Sequence, residues 1–190
     1  MRFLTREQAR VWCEARSIHV SPSRFLSYGT ESPKCLILSV PSKASRAIAM
    51  AGSLFPTWVP DEFRGALLWL REWGIWDEHT ETTGLTALEQ LRKAAGEERS
   101  LGDAPGELFD ANELWKMHAH FVQPLCFGWD AFLIPDQADY FVFLSHDEII
   151  CVVARTSTTL NSLKERLHDW DAKDDRSWYP GVLALHGSRK

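Results

Sequence analysis

The chain has few cysteines, and none of them are paired in sequence. Its 190 residues include only four cysteines, and no two of them form a Cys-x-x-Cys pair. This spacing gives no basis for a zinc ribbon or a dithiol redox centre. Cys35 and Cys151 lie inside apolar runs, where a cysteine usually serves as a small buried hydrophobe.

Phosphate-binding motifs and long apolar segments are also missing. No Gly-x-Gly-x-x-Gly or Walker pattern occurs, so the sequence predicts no nucleotide site and no cofactor. No apolar run reaches the length of a membrane-spanning helix, and the N-terminus has no apolar signal core. We therefore expect a cytoplasmic protein that neither binds a metal nor associates with a membrane.

Positive charge is in deficit. The formal net charge is −5, which counts against a general nucleic-acid binder, because such a protein displaces counterions with lysine and arginine. Mild acidity instead suits a protein partner with a basic surface.

The composition is that of a folded domain. Hydrophobic residues make up 45% of the chain and charged residues 25%, which is typical of globular proteins. The length predicts a single domain over residues 1–190. We divide it into an N-terminal helix and loop (1–33), a core (34–170) and a C-terminal tail (171–190).

The segment Gly128–Ala154 contains three short runs of β-branched and aromatic residues separated by polar turns. This pattern predicts an antiparallel meander. The central run, Tyr140–Leu144, is apolar on both of its alternating faces. A strand of that kind needs cover on both sides, so we expect helices on both faces of the sheet.

Upstream, Thr5 begins a capping-box pattern that predicts a helix to about Arg16. The apolar run Cys35–Val40 predicts a strand, and Ala44–Phe55 then predicts a helix. Arg64–Leu70 fits either a strand or a buried helix. We favour a strand, because a parallel partner for Cys35–Val40 would complete a βαβ crossover.

Further helices are predicted from Gly84 to Gly96, over Asp110–Phe127, and over Thr156–Trp170, because apolar residues recur there at helical spacing. The predicted fold is therefore α/β or α+β. It has a single mixed sheet of about five strands, with the antiparallel meander in the C-terminal half.

Two short motifs resemble functional sites. His118 and His120 lie roughly 200° apart on a helix, so they cannot share a metal ion; we place His118 on the apolar side and His120 on the opposite side. Ser145-His146-Asp147 spells a catalytic triad, but adjacent residues fan apart in a hairpin turn, so a turn is the better interpretation. Asp130 is interpreted as a cap, a turn residue or a partner for a tryptophan N–H.

The densest group of ionisable side chains accompanies two tryptophans, and it is our candidate interface: Trp73, Trp76, Asp77, Glu78 and His79. Aromatic anchors beside charged residues are typical of protein interfaces. One alternative is a two-carboxylate metal or acid–base site. Another is an acidic segment before the following helix, whose negative charges interact favourably with the dipole at the helix N-terminus.

The chain resembles an uncharacterised group of small bacterial proteins. The matching segments are Leu68–Trp76, Leu85–Arg92, Gly106–Phe109, Gly128–Pro135 and Phe143–Asp147, and they include the Trp-Gly-Ile-Trp, Gly-Trp-Asp and Ser-His-Asp motifs. The likeness covers the middle of the chain, and no activity is attached to the group. It implies a bacterial origin and a shared fold, with Gly-Trp-Asp and Ser-His-Asp as signatures of the meander's turns.

The leading hypothesis is a protein-interaction module, of the kind that neutralises a toxin as an immunity protein does. Modest size, net acidity, many aromatics and the lack of an assembled active site favour it over an enzyme, and we assign no catalytic residues. The alternative is a small metal-dependent hydrolase or nuclease whose site assembles from distant residues such as Glu72, Asp77, His79 and His146. A structural subunit is a third possibility.

Overall fold

The computed structural model describes residues 1–29, 34–55, 63–74 and 78–174, and for residues 78–81 it describes the backbone alone. The helices are α1 (Arg6–Glu14), α2 (Ala44–Leu54), α3 (Glu78–Ala94), α4 (Leu114–Phe127) and α5 (Ser157–Arg166). The strands are β1 (Arg2–Leu4), β2 (His19–Val20), β3 (Leu26–Ser27), β4 (Lys34–Ser39), β5 (Gly65–Glu72), β6 (Gly106–Asp110), β7 (Asp130–Pro135), β8 (Tyr140–Ser145), β9 (Ile149–Ala154) and β10 (Lys173–Asp174).

Eight of these strands form one sheet, in the order β1-β6-β5-β7-β8-β9-β4-β10. The predicted meander is confirmed, since β7, β8 and β9 are consecutive neighbours and pair antiparallel. They lie in the middle of the sheet, and almost every residue in them is buried. The two remaining strands, β2 and β3, form a separate small hairpin.

Both faces of the sheet are covered, as the apolar pattern of the central strand requires. One face packs against α2, α3, α4 and α5, which contribute residues such as Met50, Leu88, Phe121 and Leu163 to the larger core. The other face packs against α1 and the β2–β3 hairpin. The chain is therefore of the α+β class, with helices packed against an antiparallel sheet.

Two predictions about the sheet are wrong. The sheet has eight strands, not about five. The expected parallel pairing of Cys35–Val40 with Arg64–Leu70 does not occur, because β7, β8 and β9 lie between β4 and β5. Each recorded pairing in the sheet is antiparallel. The two outer strands of the meander each need an apolar neighbour. β5 pairs with β7 on one side, and β4 pairs with β9 on the other.

Several element boundaries agree with the sequence. The capping box at Thr5 is present, with its side chain accepting a hydrogen bond from the Gln8 backbone N–H at 3.2 Å. Arg64–Leu70 lies largely within a strand, β5, rather than in a helix. One boundary differs from the prediction. The helix predicted from Gly84 begins at Glu78, so Gly84 lies inside α3.

Some strands near the two edges of the sheet were not predicted. No strand is expected from the sequence at Gly106–Asp110, yet β6 forms there and pairs with both β1 and β5. The helix predicted from Asp110 begins at Leu114. The predicted tail begins at 171, and its first residues include β10, which pairs with β4. Residues 175–190 lie outside the described residues.

Candidate functional site

Strand register brings polar residues together at one end of the sheet. Glu72 at the end of β5 lies opposite Asp130 at the start of β7. Between Leu70 and Glu72 the register shifts, which leaves Arg71 as the extra residue of a bulge. Bulges often re-aim a side chain next to a functional site. The β8–β9 turn, which carries His146, lies at the same end.

Asp130 is the centre of this group. Its side chain is 3% exposed, and each of its oxygens has a charged or polar partner. Oδ2 accepts a hydrogen bond from Arg71 Nη1. Oδ1 lies 2.8 Å from His146 Nδ1 and also accepts the His146 backbone N–H at 2.9 Å. A buried carboxylate needs such partners, because desolvation otherwise penalises its charge.

The His146 ring contacts Asp130 through Nδ1 and is partly exposed to solvent. The hydrogen bond with Asp130 raises the pKa of His146; partial burial opposes this increase, and the charges of Asp130, Asp147 and Glu72 add to it. The side chain is 35% exposed, and Nε2 lies 3.8 Å from Oδ1 of Asp147. The imidazole therefore carries positive charge at a higher pH than an isolated histidine does.

Arg71 is the permanent cation of the cluster. Its Nη1 also donates to Oε2 of Glu72 at 3.1 Å, and its guanidinium lies 4.2 Å from the ring centre of Phe25. Nε is buried without a hydrogen-bond partner among the described residues. The side chain is only 15% exposed, so Arg71 neutralises Asp130 rather than presenting positive charge to solvent.

The exposed part of this end is acidic. Glu72 is 48% exposed and Asp147 is 62% exposed, and Glu148 is also exposed. Trp73 follows Glu72 and is half-buried against the larger core. We define the end surface by the residues Glu72, Trp73, His146, Asp147 and Glu148.

The Ser145-His146-Asp147 motif is a hairpin turn, as predicted. Ser145 Oγ lies 3.4 Å from Asp147 Oδ2 and accepts the Asp147 backbone N–H at 3.2 Å. The serine hydroxyl is therefore engaged within its own turn. It has no recorded hydrogen bond with His146 among the described residues, so it does not form the nucleophile–base pair of a triad.

A groove with a volume of about 350 Å³ adjoins the turn on the face that carries α2 and α4. It lies where α2 begins and α4 ends, and its floor includes Leu144 of β8. Its lining residues are Val40, Pro41, Ser42, Ala44, Ala47, Pro124, Leu125, Cys126, Phe127, Gly128, Leu144, Ser145 and Glu148.

The structure describes the side chain of one residue of the predicted interface. Trp73 lies beside the ionic cluster, which the sequence did not predict. Trp76 and Asp77 lie outside the described residues. Glu78 and His79 form the first turn of α3, and their side chains are not described. The candidate interface as a whole therefore stays a prediction.

The placement of the two helical histidines is wrong. His120 is buried at 4% exposure, whereas His118 is only partly buried. His120 Nδ1 lies 2.8 Å from Glu107 Oε2, and Arg92 Nη1 donates to Glu107 Oε1 at 3.0 Å. This buried triad links α3, β6 and α4, and its polar atoms satisfy one another within the core.

Sequence reasoning missed the pairing of Asp130 with His146 and Arg71. The signal was available in the predicted meander. In an antiparallel hairpin the start of the first strand lies beside the end of the second, so Asp130 and the residues after Leu144 must approach one another. The bulge that turns Arg71 toward Asp130 has no comparable signal.

Two broader properties hold for the described part of the chain. No group of three or more histidine, cysteine, aspartate or glutamate side chains is arranged to hold a metal ion there. None of the helices there combines the length and apolar character needed to cross a membrane.

The chain was compared with protein-family models, with curated proteins and with solved structures, and none of the three comparisons found a match.

Proposed function

We propose that the chain is a protein-interaction module that binds a basic protein partner through the end surface. The observation that carries this proposal is the charge at that end. Four carboxylates, those of Glu72, Asp130, Asp147 and Glu148, accompany two permanent cations, Arg71 and Arg24. Arg24 Nη1 donates to the Arg71 carbonyl oxygen at 3.3 Å. Because Arg71 pairs with the buried Asp130, three carboxylates remain against Arg24, and the net charge of these groups is negative.

The cluster is also preorganised. Asp130 fixes both the backbone and the ring of His146, so the turn that carries Asp147 and Glu148 is anchored to β7. A buried ion pair is seldom more stabilising than apolar residues of similar volume. The buried pair of Arg71 and Asp130 therefore favours a role for this cluster beyond folding. A fixed turn reduces the entropy that a partner must remove on binding.

Trp73 supplies an apolar neighbour for this acidic surface. Interfaces combine aromatic anchors with a charged rim that steers a complementary partner. Immunity proteins, which neutralise toxins by binding them, are interaction modules of this kind. An immunity-like role is the specific form of the proposal, and it suits a small acidic protein.

The test is affinity capture from cells that encode the chain, with variants as the comparison. The double variant Glu72→Lys/Asp147→Lys reverses the exposed charge. The matched control, Glu14→Lys/Glu165→Lys, makes the same charge change on α1 and α5, away from the end surface. We expect a basic protein that is retained by the wild type and the control and lost by the first variant. Identical retention by all three would contradict the proposal.

A second function, hydrolysis by general-base catalysis, is favoured by the Asp130–His146 pair. A buried carboxylate that orients an imidazole through Nδ1 leaves Nε2 to accept a proton from water. The charge of Glu72, a residue that the alternative hypothesis also names, adds to the increase in the pKa of His146.

Turnover of p-nitrophenyl esters and of bis(p-nitrophenyl) phosphate tests this second function. Hydrolysis must be faster than in buffer, and His146→Gln must lower the rate by about a hundredfold or more. Equal rates for the wild type and His146→Gln would rule out this role for His146.

A further inference from the structure

The groove between the start of α2 and the end of α4 adjoins the end surface, since Glu148 belongs to both. Most of its wall is apolar, with Val40, Ala44, Leu125 and Leu144 among the lining residues. With a volume of about 350 Å³, it has room for a long side chain. A long side chain with an apolar stem fits such a wall.

The charge of the groove is set by Glu148. The α4 C-terminus carries a partial negative charge and the α2 N-terminus a partial positive charge, each about half an elementary charge, so their effects largely cancel. Glu148 is the only charged residue among the described lining residues. It forms no ion pair with another described residue. Lys43, which precedes α2, is exposed and is not part of the lining.

The backbone at Glu148 is that of a tight hairpin turn. Its φ angle is +59°, in the left-handed region that suits the last residue of a three-residue hairpin loop. Glycine adopts this conformation freely, whereas glutamate adopts it at an energetic cost. Ser17, Arg24, Ala138 and Asp171 also have positive φ angles. The conformation of Glu148 therefore belongs to the hairpin turn, and it is the charge of the side chain that bears on the groove.

We propose that the groove holds a lysine or arginine side chain of the partner, an inference that rests on the proposed function. The aliphatic stem packs along Val40, Ala44 and Leu144, and the cationic group pairs with Glu148 at the solvent-facing edge. Lysine and arginine commonly bury their stems while the charged group stays near water. The groove is then the anchor point of the interface, and the exposed carboxylates of Glu72 and Asp147 form its rim.

N-acetyl-lysine methylamide and its uncharged counterpart N-acetyl-norleucine methylamide test this site on the whole chain. Methyl NMR signals of Ala44, Ala47 and Leu144 report binding. We expect the lysine compound to shift these signals and to bind at least about fivefold more tightly than the norleucine compound, because only the lysine compound forms the charge-assisted contact.

Glu148→Gln removes the charge at constant shape and is expected to abolish that difference. Glu148→Gly removes the side chain at a backbone position that glycine favours, so it keeps the fold and serves as the second variant. Equal binding of the two compounds to the wild type, or an undiminished preference for lysine in both variants, would overturn the inference. So would shifts confined to another part of the chain.

These results are distinguishable from failure of the proposed function. If a basic protein is captured through Glu72 and Asp147 but the lysine compound does not bind in the groove, this inference alone is wrong. If the lysine compound binds as expected but no protein is lost on charge reversal at Glu72 and Asp147, the proposed function is wrong.

Discussion

His146 and Asp130 are joined through two contacts to one oxygen. Oδ1 of Asp130 lies 2.8 Å from the imidazole Nδ1 and accepts the His146 backbone N–H at 2.9 Å. The first contact controls the charge of the ring, and the second fixes the turn between β8 and β9. Charge and geometry at this end of the sheet are therefore coupled through a single carboxylate.

The first prediction concerns pH. The pKa of His146 is raised in the folded chain, so its contribution to the free energy of unfolding is fully present below the ordinary histidine pKa of about 6.5. That contribution is lost as the pH rises through the folded-state value. Urea denaturation between about pH 6 and pH 9 must show this decrease in the wild type and a smaller one in His146→Gln. Parallel profiles would contradict the coupling to Asp130.

The second prediction concerns the buried triad. Glu107 is fully buried, and Arg92 is 2% exposed. Glu107→Gln leaves the Arg92 charge without a counter-ion in the core, which is expected to lower the free energy of unfolding by about 3 kcal/mol or more. Replacing Arg92, Glu107 and His120 together by Met, Leu and Leu removes all three polar side chains of the triad, leaves only the Ala104 carbonyl without its Arg92 donor, and is expected to cost less. Denaturant unfolding of the two variants measures the difference, and a loss below about 1 kcal/mol for Glu107→Gln would contradict it.

The third prediction concerns Gly84. Helix propensity alone favours alanine over glycine by about 1 kcal/mol within a helix. A Cβ atom at Gly84, however, would lie 2.7 Å from Cγ of Phe127 and 2.9 Å from Cζ2 of Trp129. These rings are stacked on one another, so we expect Gly84→Ala to lower the melting temperature. Gly96→Ala is not a matched control, because its φ is +86°; Ser53→Ala within α2 is the neutral comparison. A stabilised Gly84→Ala would show that α3 does not approach these rings closely.

The fourth prediction concerns Glu148 and stability. Relief of the positive φ angle is expected to make Glu148→Gly as stable as the wild type, or more stable by up to about 1 kcal/mol. Glu148→Val is expected to be destabilised, because a β-branched residue tolerates this conformation poorly. Thermal unfolding of the three proteins gives the order. If the valine variant is as stable as the glycine variant, residue 148 is not held in the left-handed region.

The sequence predicts the meander and the cover on its two faces well, because the apolar runs from Gly128 to Ala154 are unambiguous and their turns are short. It predicts strand partners poorly. Cys35–Val40 and Arg64–Leu70 are both apolar strands, and nothing in their composition says that three other strands separate them. Pairing is decided by the whole sheet, which local patterns do not encode.

Polar residues in buried positions explain the other errors. The apolar pattern of α4 puts His120 on the solvent side, and no strand is predicted around Glu107. Both are buried because His120 Nδ1 contacts Glu107 Oε2, while Arg92 donates to Glu107 Oε1. Asp130 is similar in part, since the predicted meander brings His146 near it but the bulge that brings Arg71 to it has no signature in the sequence.

The most direct test of the proposed function is the salt dependence of partner retention on the end surface. The captured partner is measured for affinity against the wild type, Glu72→Lys/Asp147→Lys and the control Glu14→Lys/Glu165→Lys, at about 50 mM and about 500 mM salt. We expect the wild type and the control to bind equally and to lose affinity as salt rises, while the end-surface variant binds weakly at both concentrations. Equal affinity of all three proteins, with no effect of salt, would contradict an acidic binding surface at this end of the sheet.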